Sequence, residues 1–244
     1  MQGRGQDSEP EAELMGQVLH TLRTASTVAR LEWQLEWRQG HQLAAVGLFA
    51  VASVYVAFQA SDQHTGAAAW TAMLWLVHLF SGFTAIGRLF DRERSSVRRY
   101  LQWTASPLGL ILGKLFHATL TTTALTAVVL GAFLLFLGWP QGIESPGKPG
   151  LLVLGAWLGG LSMTTTLVFV SAVASQVRSG SGALAAVLGL PLLLPQLILA
   201  TRLTRGALAD EPWTMLVEYP LFLGALGAGT ATIACILFPY IWRA

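Results

Sequence analysis

Six apolar stretches, at about 43–60, 67–90, 108–138, 150–175, 183–201 and 217–241, decide what this chain can fold into. A bilayer core needs about 20 mostly apolar residues in a helix. Lipid offers no hydrogen bonds, so each backbone group must be satisfied within its own segment. The expectation is an all-α, polytopic membrane protein with six transmembrane helices. The charge content agrees, at 11% of residues against about 25% in soluble domains. A pI near 9.0 is compatible with nucleic acid, but the net charge is only +2. The placement of charge therefore matters more than its sum, and the expected partner is the lipid membrane, with no nucleic acid.

Placement is strongly one-sided. With six crossings, one side holds Arg4, Arg23, Arg30, Arg38, Arg88, Arg92, Arg94, Arg98, Arg99, Lys114, Arg178 and Arg243. The other side holds Lys148, Arg202 and Arg205. Lys and Arg near span ends collect on the cytoplasmic face. Both termini are expected there, in a bacterial inner (plasma) membrane protein. The first forty residues show no signal-peptide pattern. Cys235, the single cysteine, excludes an internal disulfide and reads as a small core residue.

Three parts precede or join the spans. Residues 1–13 read as a disordered acidic tail. In 14–40, Met15, Val18, Leu22, Ala25, Ala29 and Trp33 recur every three or four positions and form one apolar stripe. Arg23, Arg30 and Arg38 are available to the polar side, and Trp33 and Trp37 suit the headgroup zone. This predicts an amphipathic helix on the cytoplasmic leaflet, with packing on a partner as the alternative. Residues 41–244 are the six-helix domain.

The connector over 91–105 carries the most pointed signal. It is rich in arginine: Arg92, Arg94, Arg98 and Arg99, with Glu93 among them. Val97, Tyr100, Leu101 and Thr104 would share one face of a helix. Ser106-Pro107 reads as an N-cap followed by proline at the first helical position, starting the next span sharply. One reading is that the charge only fixes topology. The other is a coupling helix that docks into a cytoplasmic motor through Arg92, Glu93, Arg94, Val97, Arg98, Arg99, Tyr100 and Leu101, where the arginine fork suits carboxylates.

Other features have simpler readings. Pro191 and Pro195, one turn apart, each remove a helix hydrogen bond and mark either a hinge or a fixed bend. Thr119, Thr121, Thr122, Thr123, Thr126, Ser162, Thr164, Thr165 and Thr166 fit close packing better than a polar pathway. Gly155 with Gly159, and Gly224 with Ala228, mark close helix contacts. Residues 142–149, G-I-E-S-P-G-K-P, only imitate a phosphate loop. Pro149 stands where a magnesium-binding Ser or Thr is required, and no strand precedes the loop. The chain is therefore expected to be no enzyme and to lack an ATPase site. Residues 202–218 form an outer segment too polar to cross, in which Trp213 and Leu216 suit the interface.

The order L-F-x-x-E (Leu89, Phe90, Glu93), then Tyr100-Leu101, then A-S-P-L-x-L-I-L-G-K-L-F (Ala105 to Phe116, with Lys114) resembles the heme exporter protein B family. L-P-L-L-L-P-Q-L-I-L-A at 190–200 is similar to that family's paired-proline span. Ser95, Ser96 and Val97 stand where many members carry a glycine. The resemblance implies an ABC-2-like permease fold and an ABC transporter permease of cytochrome c maturation. It implies a separate cytoplasmic ATPase subunit that holds the ATP. It also implies other cytochrome c maturation membrane subunits and a periplasmic heme chaperone, whose loaded form ATP hydrolysis releases. Heme is then the cargo of the complex, with no cofactor bound directly and no metal site. A re-entrant hairpin is expected at 202–218, placing Arg202, Arg205 and Trp213 against the periplasmic partner. His78 and His117 are intramembrane histidines for which packing is favoured over heme ligation. Two rivals remain: an ABC-2 permease for a lipid-linked sugar or drug, and a structural adaptor for heme-handling subunits.

Overall fold

The computed structural model describes residues 8–38, 41–60, 65–87, 89–90, 105–143, 147–176 and 181–243. Among these the chain is helical, with no strand. The helices are α1 (Ser8–Arg38), α2 (His41–Ala60), α3 (Ala67–Ile86), α4 (Pro107–Phe136), α5 (Pro149–Ala174), α6 (Ser181–Leu208), α7 (Trp213–Leu216) and α8 (Glu218–Arg243). Five segments are long and apolar enough to cross a bilayer: α3, α4, α5, the Ala183–Leu208 part of α6, and Trp213–Trp242. The first expected span differs. Within α2 the apolar piece is the shorter Ala44–Ala60.

The helices start and stop where local chemistry requires. Ser106 Oγ accepts a hydrogen bond from Gly109 N at 3.2 Å, and Pro107 occupies the first turn of α4, as its sequence predicts. Proline costs nothing there because that N–H has no helical acceptor. Pro149 opens α5 in the same way. At the far end of α4, Gly138 adopts φ +63, a left-handed conformation that favours glycine.

α5 is the central post, far more buried than α6 or the last span. It packs on α3, α4, α6 and α8. Gly155 and Gly159 let α6 approach. A Cβ on Gly155 would lie 3.1 Å from Leu203, and one on Gly159 would meet the Trp75 ring and Ala200. This small-residue pair thus works inside the subunit. Gly224 has nothing within 4 Å of its Cβ position, so its pairing with Ala228 faces outward.

Hydroxyls and amides tie the bundle across its middle. Thr122 bonds Thr164, Thr165 bonds Thr230 at 2.8 Å, and Gln196 Nε2 donates to Thr166 at 2.7 Å. Trp75 Nε1 donates to Thr204 Oγ1 at 3.0 Å. Each link joins two different spans. The packing role expected of the threonines is therefore what Thr122, Thr164, Thr165 and Thr166 perform.

α1 combines an exposed apolar stripe with a second, packed face. It runs along the start of α4. Of the apolar stripe expected to face the leaflet, Met15, Val18, Leu22 and Trp33 stay exposed, while Ala25 borders the contact with α4. The packed face carries Thr21, Thr24, Ala25 and Val28, then Glu32 and Glu36. Two glycines of α4 receive it. A Cβ on Gly109 would fall 2.6 Å from Thr24 Cβ and 2.8 Å from Thr21 O. One on Gly113 would fall 2.7 Å from Ala25 O. Contacts that short, partly with backbone, leave glycine as the fitting residue.

Candidate functional site

The two ends of the arginine-rich connector converge on α1. Residues 91–104 lie outside the described residues, and with them Arg92, Glu93, Arg94, Val97, Arg98, Arg99, Tyr100 and Leu101. The roots of the connector are described, and they are firmly held. At the entry, Leu89 and Phe90 are buried. At the exit, the capped turn Ser106–Gly109 lies against Thr21 and Thr24 of α1.

Lys114 organises the entry. Its side chain is 1% exposed. Its Nζ donates to Glu32 Oε1 at 2.9 Å and to Leu89 O at 3.2 Å, and stands 4.6 Å from the centroid of the Phe90 ring. Removing an ammonium and a carboxylate from water is costly unless both are paired and hydrogen-bonded. Lys114 is compensated by a carboxylate, a carbonyl and an aromatic face together. Phe90 in turn lies 5.5 Å from Phe238 of α8, which stacks on Trp242 at 5.4 Å and 24°. The entry root is thus clamped to α1, α4 and α8 together.

A second contact follows one turn on. His117 Nε2 lies 2.7 Å from Glu36 Oε2, with both side chains at most 5% exposed. Glu32 and Glu36 sit at i and i+4, and Lys114 and His117 at i and i+3, so each pair presents one face. The acids meet the bases as two successive rungs between α1 and α4.

His78 sits apart, in the bundle centre. It meets Trp75 edge-on at 5.5 Å and presses on Gly160, where a Cβ would lie 2.7 Å from its Nε2. The void beside it, bounded by Thr122, Met163 and Thr164, measures about 10 Å³. That is about the minimum for one water molecule. Among the described residues no group of three or more His, Cys, Asp or Glu side chains is placed to hold a metal.

The paired prolines are both exposed on α6, which continues through them to Leu208. The residues beside them point inward: Leu193 is buried and Gln196 reaches Thr166. Arg202 and Arg205, expected in an outer loop, lie instead on the last two turns of α6, because the helix runs on to Leu208. Both are exposed, as is Trp213 on α7. No hydrogen bond or ion pair among the described residues joins these three. What holds this end of the bundle together is Lys148, whose Nζ donates to Asp210 Oδ1 and Glu211 O, both at 2.6 Å, while its backbone N–H donates to Ala207 O at 3.1 Å.

In the sequence Lys114 is legible as a motif residue on the charged side, while its partner lies 82 positions away. Glu32 and Glu36 lie outside every motif named from the sequence. The available signal was two acids one turn apart on α1, facing a Gly-x-x-x-Gly-Lys-x-x-His run at 109–117.

No curated protein matches the chain. A family model described as CcmB protein matches residues 23–243, which includes the part of α1 that holds Glu32 and Glu36, both connector roots and every span. With a match over nearly its whole length, this multi-pass membrane chain belongs to the CcmB family, the heme-exporter permeases of cytochrome c maturation.

Proposed function

We propose that this chain is the permease subunit through which a separate cytoplasmic ATPase drives heme handling and releases the heme-loaded periplasmic chaperone. The observation that carries the reading is the Lys114 clamp. The connector enters through Leu89 and Phe90, locked by Lys114 to α1, α4 and α8. It leaves through Ser106, which caps α4 one turn before Gly109 meets Thr21 and Thr24 of α1. A force applied to residues 91–105 therefore reaches three helices at once.

In this reading the 91–105 segment is the coupling helix, and Arg94 and Arg98 dock onto carboxylates of the ATPase. The fold is ABC-2-like, with α2 as the sixth crossing. Its 20 residues give about 30 Å at 1.5 Å per residue. Both termini lie in the cytoplasm and the chain sits in the bacterial inner membrane. Pro191 and Pro195 form a hinge. Arg202, Arg205 and Trp213 meet the periplasmic partner, with the other maturation subunits alongside in the membrane. Heme is cargo of the complex, and ATP stays in the partner. The packing of His78 against Gly160 and Trp75, and the engagement of His117 by Glu36, support leaving both out of iron ligation.

Co-purification tests the reading. Arg94→Glu with Arg98→Glu should strip the ATPase from the complex. Lys114→Met with Glu32→Met, which strands no charge, should leave it bound while abolishing ATP-dependent chaperone release. ATPase binding that survives deletion of 91–105 would refute the coupling role. Release that persists with an inactive ATPase would favour a structural adaptor.

A further inference from the structure

Beside the α1–α4 clasp runs a groove of about 560 Å³, within the 300–1,000 Å³ range of small-molecule sites. Leu22, Ala25, Ala29 and Trp33 of α1 form one wall, and Phe116 and Leu120 of α4 form the other. The lining is nearly all carbon. Its cation is Arg30, exposed and without a hydrogen bond or ion pair among the described residues. Ser26 also lines it, but its hydroxyl donates back to Arg23 O at 2.9 Å.

We propose that this groove binds an anionic phospholipid of the cytoplasmic leaflet, one acyl chain lying between α1 and α4 and the phosphate held by Arg30. The walls are preformed. Glu32 and Glu36 on the neighbouring face of α1 are tied to Lys114 and His117, and Gly109 and Gly113 set the helix spacing. Lipid binding therefore needs no movement of α1. The guanidinium matches a phosphate in charge and in its forked geometry. Trp33, one turn on, places an indole where headgroup meets chain. A second copy of the chain fits poorly. A twofold contact through this face repeats the same patch on both sides, so it would bury two Arg30 cations with no counter-charge in the groove lining. The inference rests on the groove and the sidedness of charge, not on heme handling.

Native mass spectrometry of the full chain tests it, with phosphatidylglycerol titrated against phosphatidylcholine of identical chains. The parent should retain one phosphatidylglycerol in preference. Arg30→Gln should reduce that preference about five-fold while both lipids still bind. Ala29→Phe, which fills the groove, should cut retention of both. Trypsin protection of α1 in each variant confirms that the clasp persists. As a second reading, phosphatidylglycerol with brominated chains should quench the fluorescence that Trp33→Phe removes. Equal retention of the two lipids by the parent overturns the proposal, as does an Ala29→Phe variant that binds lipid normally. A lipid-free dimer that Ala29→Phe dissolves would assign the groove to chain–chain contact instead.

Discussion

Two lysine–carboxylate pairs sit at opposite ends of this bundle and teach different things. At the connector end, Lys114 and Glu32 meet at 2.9 Å with side chains 1% and 10% exposed. At the other end, Lys148 and Asp210 meet at 2.6 Å with side chains 28% and 66% exposed. The shorter contact is the weaker one. Water and salt screen an exposed pair to about 0–1 kcal/mol. A buried pair adds little net stability over an apolar substitute, yet losing one partner strands the other charge. Lys148 pins a loop to the end of α6, where its backbone bond to Ala207 holds the same contact anyway. Lys114 fixes three helices to one connector root. Distance alone ranks the two pairs in the wrong order, and burial ranks them correctly.

The sharpest way to break that contrast is Lys114→Ala. It leaves Glu32 buried without its cation and should cost about 3–5 kcal/mol, read as a large drop in thermal midpoint in detergent with new trypsin cutting in α1. Joint replacement, Lys114→Met with Glu32→Met, should restore most of that stability, within about 1–2 kcal/mol of the parent, while leaving the connector root without its polar anchor. If the double variant is as unstable as the single one, the stranded-charge account is wrong.

Gly113→Val comes next. Its added atoms meet Ala25 O and Val28, and overpacking of this kind costs about 1–3 kcal/mol. The checking measurement is a cysteine crosslink between α1 and α4, whose yield should fall. Away from the clasp, Thr204→Val removes the acceptor of the Trp75 indole and should cost about 1 kcal/mol. A double-mutant cycle with Trp75→Phe then shows whether that loss belongs to the bond. Asp210→Asn should come last, at under about 1 kcal/mol and with little salt dependence left in the variant. A loss as large as that of Lys114→Ala would erase the distinction between the two ends.

Much of the fold was legible because lipid imposes a coarse rule. Long apolar runs became helices, and Ser106-Pro107 capped α4 as its chemistry requires. The connector roots were visible as motif residues. What the sequence hid was which face of α1 packs. The apolar stripe Met15, Val18, Leu22 and Trp33 was legible and is exposed, as a lipid-facing stripe would be, but it gave no sign of the second face that packs. In water the greasy face of a helix seeks the core. In a bilayer, lipid is as apolar as a neighbouring helix, so small residues and paired polar groups mark the interface. Thr24, Ala25, Glu32 and Glu36 meet Gly109, Gly113, Lys114 and His117 for that reason. The length of α6 was missed for a related cause. Arg202 and Arg205 read as loop, yet long cationic side chains at a span end reach outward and let the helix continue.

The side-chain bonds of α6 also set how it can move. Gln196 holds Thr166 and Thr204 holds Trp75, two rivets about two turns apart along the same rod. Twisting the rod would shear both rivets together, whereas between Ser181 and Pro191 no comparable side-chain bond crosses to another span among the described residues. Torque arriving from the connector end would therefore be spent on that half before it loosened the half that lies toward Leu208.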